Sequence, residues 1–103
     1  MSSRIEVKKE LGSDIVTREH GKRLRQLILR EWSNAPVIVD FDELRVNSVS
    51  FFDESFGQLA LEYSKEELLK HVRFEGLDQF DSALVQDIIS SRSREANRGA
   101  SRR

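Results

Sequence analysis

With no cysteine in its 103 residues, the chain can do chemistry only with its carboxylates, histidines, hydroxyls and basic side chains. A thiol nucleophile, a disulfide scaffold and any Cys-ligated zinc or iron–sulfur site are excluded. The best-placed carboxylate pair is Asp40 and Asp42, in the D-x-D that ends the apolar run Val37 to Phe41. Acidic pairs at the carboxyl edge of a sheet are where α/β proteins build Mg²⁺-assisted phosphoryl chemistry. Such a site needs a further acidic pair and a base on later strands, and none follows here. Asp40 and Asp42 therefore read as the end of a strand running into a solvated loop. His20 and His71 stand far apart in the sequence, with no G-x-S-x-G or similar nucleophile element to serve. They do not have zinc-ligand spacing either. The five glycines are scattered, so neither a dinucleotide fingerprint nor a phosphate loop is present. No catalytic residue, metal or cofactor is indicated.

Two charge patterns point instead to binding. Arg18, Lys22 and Arg25 fall at i, i+4 and i+7, a basic stripe on one helical face that reads first as a solvated surface and second as a contact for phosphates or carboxylates. From Arg92 onward five arginines stand against Glu95 alone, a net of +4 that leaves −5 for the rest of the chain. Beyond Arg92 the apolar residues are Ala96 and Ala100, too little surface to offset ordering, so residues 93–103 read as a flexible Arg-rich tail after a domain spanning 1–92. The tail and the stripe together would give weak, salt-sensitive binding to nucleic acid.

The elements that must position these residues alternate in type. Ile5 to Val7 and Asp14 to Thr17 read as short strands flanking a Gly12-Ser13 turn, a candidate hairpin. Leu24, Leu27, Ile28 and Trp32 form the buried stripe of a helix over about 18–32, with Thr17 as N-cap. Gly21, in its first turns, implies close packing, because an exposed glycine there costs roughly 1 kcal/mol against alanine. Val37 to Phe41 is a β-branched run expected as a central strand buried on both faces. Ser50 and Asp53 form an S-x-x-D capping signal before Phe52, Phe56, Leu59 and Tyr63, one face of a second helix. Phe51 lies off that stripe and is either a partner anchor or a further core residue. Ser64 with Glu67 caps a short turn, and His71 to Phe74 alternates as a strand. Asp78 opens a last helix carrying Phe80, Leu84, Val85, Ile88 and Ile89. Alternating strands and helices imply one α/β domain. Apolar runs are too short to span a bilayer and no secretory leader is visible at the start, so a cytoplasmic protein is expected.

The stretch Val37 to Leu44 followed by Ser48 to Ala60 resembles the core of STAS domains, the fold of bacterial anti-sigma factor antagonists. It is more similar still to the STAS-like family of unknown function, DUF4325. That family's R-x-x-G element is matched by Arg18 to Gly21, its strand ending in D-F by Asp40-Phe41, its S-F-x-D-E-x-F-G-x-L-A helix start by Ser50 to Ala60, and its late arginine by Arg92. The resemblance covers about residues 5–92. It implies a small mixed sheet of about four strands covered by three helices.

In function, the resemblance implies a regulator that works by docking without turnover. Anti-sigma factor antagonists bind a GHKL-type kinase, which disables them by phosphorylating a serine at the start of the helix after the central strand. Here the family's aspartate corresponds to Asp53 and its second small residue to Ser55, while the phospho-acceptor falls on Glu54. Glutamate cannot accept phosphate and already supplies an anion, which a helix N-terminus favours by roughly 0.3–1 kcal/mol. A phosphate on Ser48, Ser50 or Ser55 would meet repulsion from Asp53 and Glu54. The expected docking surface is therefore Ser48, Ser50, Phe51, Asp53, Glu54 and Ser55, without a phosphoswitch. A nucleic-acid-associated regulator using the Arg tail is the alternative.

Overall fold

The computed structural model describes residues 3–14 and 17–101, the last three without their side chains. Three four-residue strands, β1 (Ser3–Glu6), β2 (Val37–Asp40) and β3 (Val72–Glu75), make an all-parallel sheet in the order β1-β2-β3. Its register sets Ile5 beside Val39 and Val39 beside Phe74. The β-branched run places β2 in the centre, as its composition requires. Parallel neighbours need crossovers, which the intervening helices provide. These are α1 (Val7–Leu11) and α2 (Arg18–Arg30) between β1 and β2, and α3 (Val49–Phe52), α4 (Gln58–Glu62) and α5 (Lys65–His71) between β2 and β3; α6 (Gln79–Ser101) follows the sheet. A single π-helical segment, Asp53–Gly57, joins α3 to α4.

Period-two alternation divides the sheet. Ile5, Val37, Val39 and Val72 point into the core with Leu24, Ile28, Phe41, Phe51, Phe52, Phe56 and Leu59. Arg4, Glu6, Ile38, Asp40, Arg73 and Glu75 occupy the opposite face and are exposed or half-buried. Burial of β2 on both faces is thus corrected: only one face is sealed. Its open side is managed by charge, with Arg4 donating to Asp40 at 3.0 Å and to Glu75 at 2.9 Å.

Several expected elements differ from the structure. Among the described residues there is no N-terminal hairpin, because β1 pairs in parallel with β2 and Val7–Leu11, rich in helix formers, turns into α1. Of the second expected strand, Ile15 and Val16 lie outside the described residues, while Thr17 caps α2 by accepting the His20 amide. Three strands are described where about four were expected. The Arg-rich end begins as helix: α6 continues past Ser93 through Ser101, and Arg102 and Arg103 lie outside the described residues. Phe80, expected in the core stripe of that helix, is 63% exposed, while Val85 and Ile89 are buried. Trp32 closes the far end of the core, stacked between Tyr63 and His71 with ring centroids at 4.5 and 4.3 Å.

The loop from Phe41 to Ser48 delivers the chain to α3, and a buried carboxylate holds it. Asp81, 1% exposed on the first turn of α6, accepts the amide of Val46 at 2.7 Å and that of Asn47 at 2.9 Å. Asn47, at φ 46°, turns left-handed there, and Gly76 must stay bare because a Cβ would lie 2.6 Å from the Asp42 nitrogen. Removing Asp81 would leave those amides without a partner, each costing about 1–3 kcal/mol where buried. Asp81→Ala is expected to lower stability by about 2–4 kcal/mol, a fall in melting temperature of about 10–25 °C at this size. Asp81→Asn should lie between alanine and wild type in thermal melts followed by circular dichroism. A wild-type melt for Asp81→Ala would remove the carboxylate from this role.

Candidate functional site

The segment with the densest chemistry, Ser48 to Gly57, spans the start of α3 and the π turn. Ser48 is the N-cap: its Oγ accepts the Phe51 amide at 3.2 Å, and helix begins at Val49. The capping role expected of Ser50 and Asp53 is corrected accordingly, since the helix starts earlier and Asp53 sits beyond its first turn. Glu54 likewise lies too deep in the helix for its N-terminal dipole, an effect confined to the first turn.

Each residue of the motif has an internal partner or neighbour that explains its type. Asp53 is 8% exposed and takes a two-pronged grip from Arg92 on α6, Nε to Oδ1 at 2.7 Å and Nη2 to Oδ2 at 2.7 Å. Arg92 also donates to Glu95 at 2.9 Å. The bonds to Asp53 first, then those to Glu95, push the guanidinium pKa up and keep it charged. Gly57 leaves room for this fork, because a Cβ there would come within 2.5 Å of Asp53 Oδ1 and 3.1 Å of Ile88. Ser55 is fully buried, and its hydroxyl donates to the carbonyls of Phe51 at 2.8 Å and Phe52 at 3.3 Å. Such back-bonding from a serine to the preceding turn accompanies a local departure from regular α-helix. Phe51 is core, edge-on to Phe41 and Phe52.

On its other flank the segment meets α2. Gly21 is buried against it, and a Cβ would stand 2.5 Å from the Phe51 carbonyl oxygen. Arg25 donates to the Glu54 carbonyl at 2.6 Å and lies 3.6 Å from its carboxylate, while Arg18 approaches that carboxylate at 3.3 Å. Two members of the basic stripe are therefore committed to Glu54. Close packing, anticipated at Gly21, is what the backbone contact demands.

Of the six residues expected to meet a partner, Phe51, Asp53 and Ser55 are buried, whereas Ser48, Ser50 and Glu54 reach the surface in part. The structure also presents two apolar side chains that residue type alone suggested were core or neutral. Val49 is 60% exposed and Phe80 63% exposed. Val49 starts α3 and Phe80 starts α6, both at the carboxyl edge of the sheet, where the β2 and β3 connections emerge. Alternation could have flagged Val49, which falls outside the Phe52 stripe. At the same edge, Asp40 accepts from Arg4 and from the Asp42 amide at 2.9 Å, so the D-x-D is engaged in holding its own loop. Among the described residues no cluster of three His or acidic side chains could hold a metal ion, and no helix is long and apolar enough to cross a membrane.

A domain with this parallel sheet, its helices over one face and a locked helix after the central strand is STAS-like. Residues 20–81, more than half of the chain, match the family described as the STAS-like domain of unknown function, DUF4325. The chain belongs to that family. Searches of curated proteins and of solved structures give no match.

Removing one partner of a buried, bonded charge pair strands the other, at about 3–5 kcal/mol for full burial. Arg92 keeps 31% of its side chain open, so Asp53→Ala and Arg92→Ala are each expected to cost about 2–3 kcal/mol, less than the fully buried range. Their double mutant should cost at least about 1 kcal/mol less than the sum, the sign of direct coupling. Urea denaturation of the four proteins measures the cycle, and additive losses would contradict it. Gly21→Ala, which drives a methyl into the Phe51 carbonyl, should cost about 1–3 kcal/mol in the same assay.

Proposed function

We propose that the protein is a non-enzymatic regulatory module that docks a protein partner at the carboxyl edge of its sheet. The contact uses the accessible part of 48–55, namely Ser48, Ser50 and Glu54, together with Val49 and Phe80. The observation that carries this reading is the division of labour within the motif. Its polar groups are spent on internal bonds, while two large apolar side chains stand in solvent beside it. Exposed apolar side chains flanked by polar groups are what a docking surface offers, with the apolar groups as anchors. Family resemblance supports a GHKL-type ATPase or kinase as the class of partner.

Glu54 has a different part from the one its position in the motif implies. Flanked by Arg18 and Arg25, it ties α3 to α2 and does not present an isolated anion. Charge reversal would add a third cation beside those two arginines and disturb the α2 contact as well as the surface, so Val49 and Phe80 are the cleaner probes. The commitment of Arg18 and Arg25 to Glu54 also weighs against nucleic acid as the partner.

Two outcomes are expected. Val49→Asp and Phe80→Asp should each melt like wild type and lose at least tenfold affinity for a GHKL-type ATPase from the same organism, measured by titration calorimetry. Equal affinity in all three would dismiss this surface, and no binding by wild type would dismiss the partner class. Second, incubation with such a kinase and ATP should leave Ser55 unmodified, because its hydroxyl is buried and bonded to two carbonyls. Phosphate located on Ser55 by peptide mass analysis would contradict the locked arrangement.

A further inference from the structure

The outer edge of β3 is unpaired, and its residues are arranged to complement a second copy of themselves. Within the sheet the Phe41 amide donates to the Glu75 carbonyl at 2.9 Å. Backbone groups of successive strand residues face opposite sides, so Arg73 and Glu75 are turned toward β2. Phe74 is therefore turned the other way, with its N–H and C=O directed off the sheet. Among the described residues no strand lies beyond β3. Edges of this kind are templates for another strand unless they are blocked, and β3 holds neither proline nor bulge.

We propose that two copies of the chain pair antiparallel through β3, with the two-fold axis at Phe74. That register makes Phe74 and its symmetry mate a hydrogen-bonded pair, each donating its amide to the other's carbonyl. It also places Arg73 of each copy directly opposite Glu75 of the other, on the open face of the sheet. Among the described residues Arg73 has no hydrogen bond or ion pair, and Glu75 is half exposed while bonded to Arg4. Opposite charges in directly facing positions stabilise a strand pair by roughly 0.2–1 kcal/mol each, and like charges oppose it.

The covered face carries the apolar part of the same contact. Beside β3, between α5 and α6, runs a groove of about 380 Å³ lined by Lys65, Leu69, Phe74, Gln86, Ile89 and Ser90. Leu69 stands at its mouth, 47% exposed. Pairing at Phe74 brings the two grooves alongside each other, so each Leu69 gains an apolar neighbour across the axis. An isologous arrangement closes after two copies and leaves β1 as the free edge at each end of a six-stranded sheet. The contact is small, so association is expected to be concentration-dependent and weak. It shares no residue with the docking surface proposed above and does not depend on it.

Sedimentation equilibrium of the full chain over a wide concentration range tests the proposal. Wild type should rise from 11.9 kDa toward twice that mass, and hydrogen exchange at the Phe74 amide should slow as it does. Arg73→Glu sets like charges opposite each other at both positions and should weaken association at least tenfold while melting like wild type; Glu75→Arg should weaken it as much, with a slightly lower melt because the Arg4 bonds are lost. Mixed together, the two variants regain complementary pairs, and a heterodimer should form at least as readily as the wild-type dimer. A wild-type mass that stays at the monomer value up to millimolar concentration would overturn the proposal and leave the edge to a different strand. Association unaffected by Arg73→Glu, or a mixture of variants that fails to associate, would overturn the register.

Discussion

The grip of Arg92 on Asp53 is the constraint on which the rest of this small domain depends. It joins the helix after the central strand to the last helix across 39 positions of sequence, and its geometry dictates the residues around it. Gly57 must be bare for the carboxylate to sit where it does. Asp53 and Gly57 lie four positions apart across the π turn, so that the carboxylate and the bare backbone both face α6. Ser55, inside that turn, ties it to the Phe51 and Phe52 carbonyls. A buried ion pair is not in itself a large source of stability, since desolvation offsets much of the attraction. Its effect here is one of register: an arginine fork accepts one placement of a carboxylate, and so one placement of the helix.

A second hold, on the opposite flank, makes the segment rigid. Gly21 lets α2 approach to backbone contact, and Arg25 and Arg18 close over Glu54. The S-F-x-D-E-x-F-G stretch is thus explained residue by residue as a device that clamps one helix between two others. What remains accessible is its first turn and the adjoining start of α6. A rigid frame beneath a few exposed apolar groups suits recognition, because little order has to be gained on binding.

Much of this could be seen before the coordinates. The β-branched run of β2, the stripe of α2, that of α6 apart from Phe80, and the caps at Thr17, Ser64 and Asp78 follow from local chemistry and stand where periodicity put them. Gly21 signalled a close approach. The parts that were hidden are those set by distant partners. Asp53 looks like a capping residue until Arg92 is seen to reach it, and local sequence holds no trace of that contact. A helix that widens at 53–57 shifts the side chains that follow it, and Phe51, off the Phe52 stripe, is enclosed by Phe41 and Phe52 from outside its own period. The hairpin at the N-terminus failed for a related reason: Ile5 pairs with a strand more than thirty residues away, which no neighbouring residue records. The arginine-rich end has little apolar surface, and it is as a continuation of α6 that it takes helical form through Ser101.

Native-state hydrogen exchange at Phe56 and Leu59, read beside that of Val39 in the central strand, tests the clamp most directly. If Arg92 and Asp53 hold the π turn to α6, these amides open only with the whole domain, at the same free energy as Val39, and in Arg92→Ala they open locally at a lower one. Exchange of Phe56 and Leu59 by local opening in the wild-type protein, unchanged by Arg92→Ala, would contradict the account.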